Sequence, residues 1–148
     1  FGFTRLNLPD SLEVIQGSAF FLCNSLGGDI FIPDKVTRIE TQTFYGCYPI
    51  RSLRLSPFTT YLGPNCFYNC VSLAGVLDIP NTITEIAFKA FQFCSSVSRI
   101  NIRAATAPII GAQAFDDMDS VVPPVIHVPV GAVGYAASYD GLTVVYDL

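Results

Sequence analysis

Residues Ile30 to Ile50 read IFIPDKVTRIETQTFYGCYPI, and this stretch returns in phase along the chain. Its head, Ile30-Phe31-Ile32-Pro33, is matched upstream by Leu6-Asn7-Leu8-Pro9. Downstream come Leu53-Arg54-Leu55-Ser56, Leu77-Asp78-Ile79-Pro80 and Ile100-Asn101-Ile102-Arg103. The second apolar positions step by 24, 23, 24 and 23 residues, and a looser sixth copy, Ile126-His127-Val128-Pro129, lies 26 further on. The body of the unit keeps step too. Ile39 aligns with Ile15, Leu62, Ile86 and Ile110, and Phe44 with Phe20, Phe67, Phe91 and Phe115. A small or modest residue precedes each phenylalanine: Ala19, Thr43, Cys66, Ala90 and Ala114. Cys23, Cys47, Cys70 and Cys94 stand three residues after the first four, with Met118 in the fifth copy. Leu26, Ile50, Leu73 and Val97 follow the cysteines by three.

A fixed period of this length specifies a solenoid. One coil cannot bury its own apolar side, but stacked coils bury it as ladders of equivalent residues. The alternation in Ile30-Phe31-Ile32 has the period of a strand, and the proline after four of the six copies ends it, because proline cannot donate to a ladder. The expected architecture is mainly β: 5 to 6 turns of 23–24 residues, with one short parallel strand per turn. Repeats start near 6, 30, 53, 77 and 100, and residues 126–148 form a C-terminal cap of the single domain 1–148. The stretch from Val36 to Phe44 fits a second short strand or a 3₁₀ turn, and pattern alone leaves both open. Gly131 to Tyr139 is the one segment that reads as a short helix.

Composition narrows the function. Apolar residues make up 51% and charged residues 14% of 148, so a packed domain is expected. Net charge is −4 without a Lys/Arg cluster, which disfavours nucleic acid and anionic membranes. No apolar run approaches the roughly 18 residues of a membrane span. The chain opens at Phe1 without a basic and apolar leader, and is read as a fragment or mature form of something longer.

At these residues the protein resembles the BspA-like, or Treponema pallidum type, leucine-rich repeats, whose unit runs L-x-I-P-x-x-V-x-x-I-x-x-x-A-F-x-x-C-x-x-L. Ile30-Phe31-Ile32-Pro33, Val36, Ile39, Phe44, Cys47 and Ile50 fit one unit. Leu77-Asp78-Ile79-Pro80, Ile83, Ile86, Ala90-Phe91, Cys94 and Val97 fit another. Ser56, Thr59 and Cys66 depart from it in the third unit. The end, with Thr106-Ala107-Pro108, His127-Val128-Pro129-Val130-Gly131-Ala132-Val133 and Tyr135-Ala136-Ala137, resembles the closing segment of many such proteins from gut bacteria. The resemblance implies a right-handed leucine-rich-repeat coil and a secreted or cell-surface protein for adhesion or protein binding. It implies no catalytic residue. A structural repeat segment of a larger assembly or particle is the alternative.

Candidate chemistry is sparse. The five cysteines are an odd number, contain no CxxC pair, and are expected as buried free thiols. His127, the only histidine, is expected at the surface. Asp116, Asp117 and Asp119 lack the calcium-loop pattern, because Met118 intervenes and no Glu follows. Gly27-Gly28 reads as a turn. No catalytic residue, cofactor or metal is expected. The expected site is therefore a surface: the residue between the two aliphatics of each strand copy must point away from the core. Those residues are Asn7, Phe31, Arg54, Asp78, Asn101 and His127. A strip centred on Phe31 and Arg54, with Asp78, Asn101 and His127 as polar contacts, is the expected binding site. Its partner is expected to be another protein, or a surface glycan or matrix component. The loops around Tyr45, Tyr48 and Tyr68 are the second choice.

Overall fold

The computed structural model describes residues 6–118 and 122–148. Phe1-Gly2-Phe3 and Asp119 lie outside the described residues. Eleven strands and no helix occur among the described residues. Each expected strand copy from Ile30 onward is extended: β1 (Gly28–Phe31), β3 (Ile50–Arg54), β5 (Gly75–Ile79), β7 (Val97–Ile102) and β9 (Val125–Val128). Pro80 directly follows β5 and Pro129 directly follows β9. Where Arg103 replaces the proline, its amide donates to the Ile79 carbonyl at 3.0 Å, which extends the ladder by one bond.

The open segment around Val36 to Phe44 resolves as a second strand, and its equivalents follow β3, β5 and β7, so these turns carry two strands instead of one. The short strands β2 (Arg38–Ile39), β4 (Tyr61–Leu62), β6 (Glu85–Ile86) and β8 (Ile109–Ile110) form a parallel four-stranded sheet. Four turns carry both strands, slightly fewer than the count read from the sequence. The first copy, Leu6-Asn7-Leu8, forms no strand.

A ladder of turns makes the third wall of each coil. The amides of Ser18, Phe20 and Leu22 donate to the carbonyls of Thr41, Thr43 and Tyr45, one coil ahead, at 2.8–2.9 Å. Gln42, Phe44 and Gly46 repeat the triplet, as do Asn65, Phe67 and Asn69, then Lys89, Phe91 and Phe93. The outer members of each triplet take positive φ, with side chains as bulky as Leu22 and Phe93. This left-handed backbone costs about 1–2 kcal/mol per residue. The ladder bonds and the buried phenylalanine between the outer members offset that cost.

Phe44, Phe67, Phe91 and Phe115 are fully buried and Phe20 is half-buried. The five rings stack nearly parallel, with centroids 5.0, 5.2, 5.3 and 6.0 Å apart. Strand spacing of about 4.8 Å sets that distance. The cysteine column packs beside it and is held by hydrogen bonds that the repeat pattern does not reveal. The thiols of Cys47, Cys70 and Cys94 donate to the carbonyls of Phe20, Phe44 and Phe67, one coil back, at 3.0, 3.3 and 3.2 Å. All five cysteines are free thiols.

At the C-terminal end, β11 (Leu142–Tyr146) pairs with β9 in parallel and with β10 (Ser138–Tyr139) in antiparallel fashion. The helix expected over Gly131 to Tyr139 does not form. Gly131 and Gly134 take φ of 80° and 82°, Val133 bridges to Thr106, and Ser138–Tyr139 is extended. Among the apolar residues assigned to the cap, Leu142 and Val144 are buried, whereas Val130 and Val133 face solvent.

Candidate functional site

The strand-bearing face is built in two pieces. One sheet holds β1 and β3, and the other has the order β10-β11-β9-β7-β5. Apart from the antiparallel β10–β11 pair, the strands of each piece run parallel, and register shifts at Gly28/Asp29 and again at Gly75/Val76. Both glycines take positive φ, 82° and 77°, a conformation that costs glycine little. These irregularities fall in alternate strands, β1 and β5, and the sheet is interrupted between β3 and β5.

The expected strip is dispersed by this arrangement. Phe31 lies outward on β1, 49% exposed, and is the register partner of Arg54 on β3, which is also exposed. Together they border a hollow that also includes Asn7, Asp10, Pro33 and Asp34. Asp78 lies across the break from Arg54 and is occupied: Arg103 Nε donates to its carboxylate at 2.8 Å and Asn101 Nδ2 at 3.3 Å. Asn101, expected as an exposed polar contact, is only 7% exposed. Arg99 Nε donates to its amide oxygen at 2.8 Å from the same strand, so its hydrogen bonds are spent internally. His127, expected at the surface, is half-buried, its Nδ1 2.7 Å from Asp147. Two residues that pattern reading passed over join the face. Arg103 could have been found from its substitution for the recurrent proline, and Arg99 from its place two residues before Asn101.

Phe31 and Arg54 therefore remain as an accessible pair, beside an open cleft of about 670 Å³ between β3 and β5. Leu53, Arg54, Leu55, Asp78 and Arg103 line the cleft, with Pro57 and Pro80. Such a face can bind by apolar contact and by guanidinium hydrogen bonds. Its lining holds no nucleophile–base pair. No group of three or more metal-ligating side chains occurs among the described residues, and no helix there is long and apolar enough to cross a membrane.

The Tyr45 and Tyr68 loops are organised differently. Phe21, Tyr45 and Tyr68 stack at 4.9 and 4.6 Å, and Phe93 closes the row edge-on to Tyr68 at 5.3 Å. Rings stacked on one another cover each other's faces, so the row offers a partner mainly edges.

Residues 2–122 match the BspA type leucine rich repeat region, in six copies. The protein belongs to the BspA-type leucine-rich repeat family. No curated protein matches it. The columns seen here explain the family's consensus positions in this protein: Phe as the stacked core, Cys as donor to the preceding phenylalanine's carbonyl, and Pro as strand terminator. As a BspA-type solenoid it is a protein-interaction repeat module.

Proposed function

We propose that the protein is a non-catalytic protein-binding or adhesion module of a secreted or cell-surface protein. Its contact strip is centred on Phe31 and Arg54, with Asp78 at the edge. The observation that carries this reading is the pairing of Phe31 with Arg54: a large aromatic ring half out in water, in register with an arginine on a hydrogen-bonded β-ladder. An exposed phenylalanine on a strand serves no core, and aromatic and arginine side chains are the types enriched at interface centres. The paired β1–β3 ladder beneath both residues holds them in place before a partner arrives, which lowers the ordering cost of binding. Family membership supports the reading, because leucine-rich repeats generally mediate protein interactions and BspA-type repeats are often surface-associated. The partner is an extracellular protein, or a matrix component or surface glycan.

The test immobilises the wild-type, Phe31→Ala and Arg54→Ala proteins and measures their affinities for purified extracellular proteins and glycans. Each substitution is expected to weaken the best wild-type interaction by at least about fivefold, or about 1 kcal/mol. Full affinity in both variants would move the site to another face. Antibody labelling of intact cells that express the full-length gene tests the location, and labelling only after lysis would oppose it.

A further inference from the structure

The break between β3 and β5 leaves groups that the rest of the sheet satisfies. One coil earlier, the Ile32 amide donates to the Arg54 carbonyl at 2.9 Å. The equivalent bond, from the Leu55 amide to the Asp78 carbonyl, is not made, and the Leu55 amide has no acceptor among the described residues. Charge on this face is also uneven. Asp29 accepts from Ser52 Oγ at 2.6 Å, Asp78 from Arg103 and Asn101, and Asp147 lies against His127 and Arg99. Every one of these acids is engaged. The guanidinium groups of Arg51 and Arg54, both on β3, have no hydrogen bond or ion pair with a described residue. Asp10 and Asp34 border the neighbouring hollow but form no ion pair with Arg54. A protein of net charge −4 thus keeps two uncompensated cations on one strand.

We propose that the cleft between β3 and β5 seats a carboxylate of the protein partner against Arg54, within the reach of the unbonded Leu55 amide, an inference that rests on the strip reading above. A guanidinium presents paired donors in a plane that matches a carboxylate. The cleft lining carries Arg54, Arg103 and one acid, Asp78, so its formal charge is one positive. That charge fits a single carboxylate and disfavours a dianionic phosphate, which Asp78 would repel. Phe31, on the other side of Arg54, supplies apolar contact to the carbon atoms that bear the acid. The carboxylate has two possible sources, an Asp or Glu side group or the free C-terminus of a polypeptide.

The experiment titrates the ¹⁵N-labelled protein with acetyl-tetraglutamate amide, acetyl-tetraglutamine amide, an acetylated Gly-Gly-Ala peptide with a free C-terminus, and inorganic phosphate. Saturable shifts of the Leu55 amide and the Arg54 Nε–H are expected with a carboxylate peptide and not with tetraglutamine. Binding should weaken several-fold between about 0.01 M and about 0.15 M ionic strength, where screening shortens from about 30 Å to about 8 Å. Arg54→Gln should abolish the shifts, with an otherwise unchanged amide spectrum as the folding control. Comparing the two carboxylate peptides identifies the source. No saturable shift, undiminished binding by Arg54→Gln, or tighter binding of phosphate would overturn the proposal. The two readings fail separately. A partner lost in Phe31→Ala but held fully by Arg54→Gln would retain the apolar strip and remove the acid site.

Discussion

The carboxylate of Asp140 accepts the amide of Phe115 through Oδ2 at 2.9 Å and that of Gln113 through Oδ1 at 3.0 Å. In every earlier coil the amides at these two positions donate to backbone carbonyls of the next coil. One side chain therefore stands in for two carbonyls at the end of the turn ladder. Asp140→Ala leaves both donors without that acceptor and is expected to lower stability by about 1.5–3 kcal/mol, the usual worth of hydrogen bonding to a charged group. Asp140→Asn keeps one acceptor oxygen and should lose roughly half as much. Urea unfolding of both variants checks the order; equal stability of Asp140→Ala and wild type would remove the end-closing role.

Removal of the whole C-terminal segment is a harsher version of the same change. Deleting residues 129–148 uncovers the β9 edge, which β11 pairs with, and removes the buried Leu142 and Val144. An exposed strand edge templates further pairing. The truncated protein is expected to aggregate, as measured by light scattering against the full-length form at equal concentration. A soluble, folded truncation would contradict the cap assignment.

The phenylalanine column should dominate stability. Phe67 and Phe91 are fully buried, each stacked between two neighbouring rings, so a ring removed there leaves a gap that both neighbours line. Truncating either to Ala should cost about 3–5 kcal/mol through lost transfer energy and a residual cavity. Phe20→Ala should cost less, because that ring is half-buried and stacked on Phe44 alone. Denaturation midpoints of the three variants test the gradient.

The thiols make a prediction about alkali. Burial pushes Cys47 and Cys94 up from 9.0 to about 12, and raises Cys66 and Cys70 as well. A thiol whose folded pKa is raised stays protonated in the folded state at a pH where the unfolded polypeptide has begun to lose the proton. The stability it contributes is complete below about pH 9 and is lost as pH rises from there through about 12, by up to about 1.4 kcal/mol per pH unit for each thiol. Urea midpoints should hold between pH 7 and 8 and fall by pH 10.5. Labelling with a thiol reagent at pH 8 should reach Cys23, which is half-buried, well before the other four. Reducing agent should leave the melting temperature unchanged, because a native disulfide is typically worth 2–4 kcal/mol and none is present among these cysteines.

Much of this protein is decided by the period of its sequence alone. Once Phe20, Phe44, Phe67, Phe91 and Phe115 recur in step, stacking is the way each coil covers its neighbour's apolar side, so the core columns follow from spacing. The outward direction of Phe31 and Arg54 follows equally, from the alternation of a strand. Tertiary structure alone decided the rest, because it depends on where the backbone returns in space. Asn101 and Phe31 hold the same position in the repeat, yet Asn101 is buried, bonded to Arg99 on its own strand and to Asp78 on β5, which Arg103 also holds. The sheet is interrupted between β3 and β5, and a register shift falls in the joined pair on either side of that interruption, β1–β3 and β5–β7. Spacings of 24 and 23 hint at that shift without showing which strands part. Asp140 meets Phe115 across 25 residues, a pairing that no local pattern marks, since any acidic residue in that loop reads as solvated until the fold brings two unpaired amides to it.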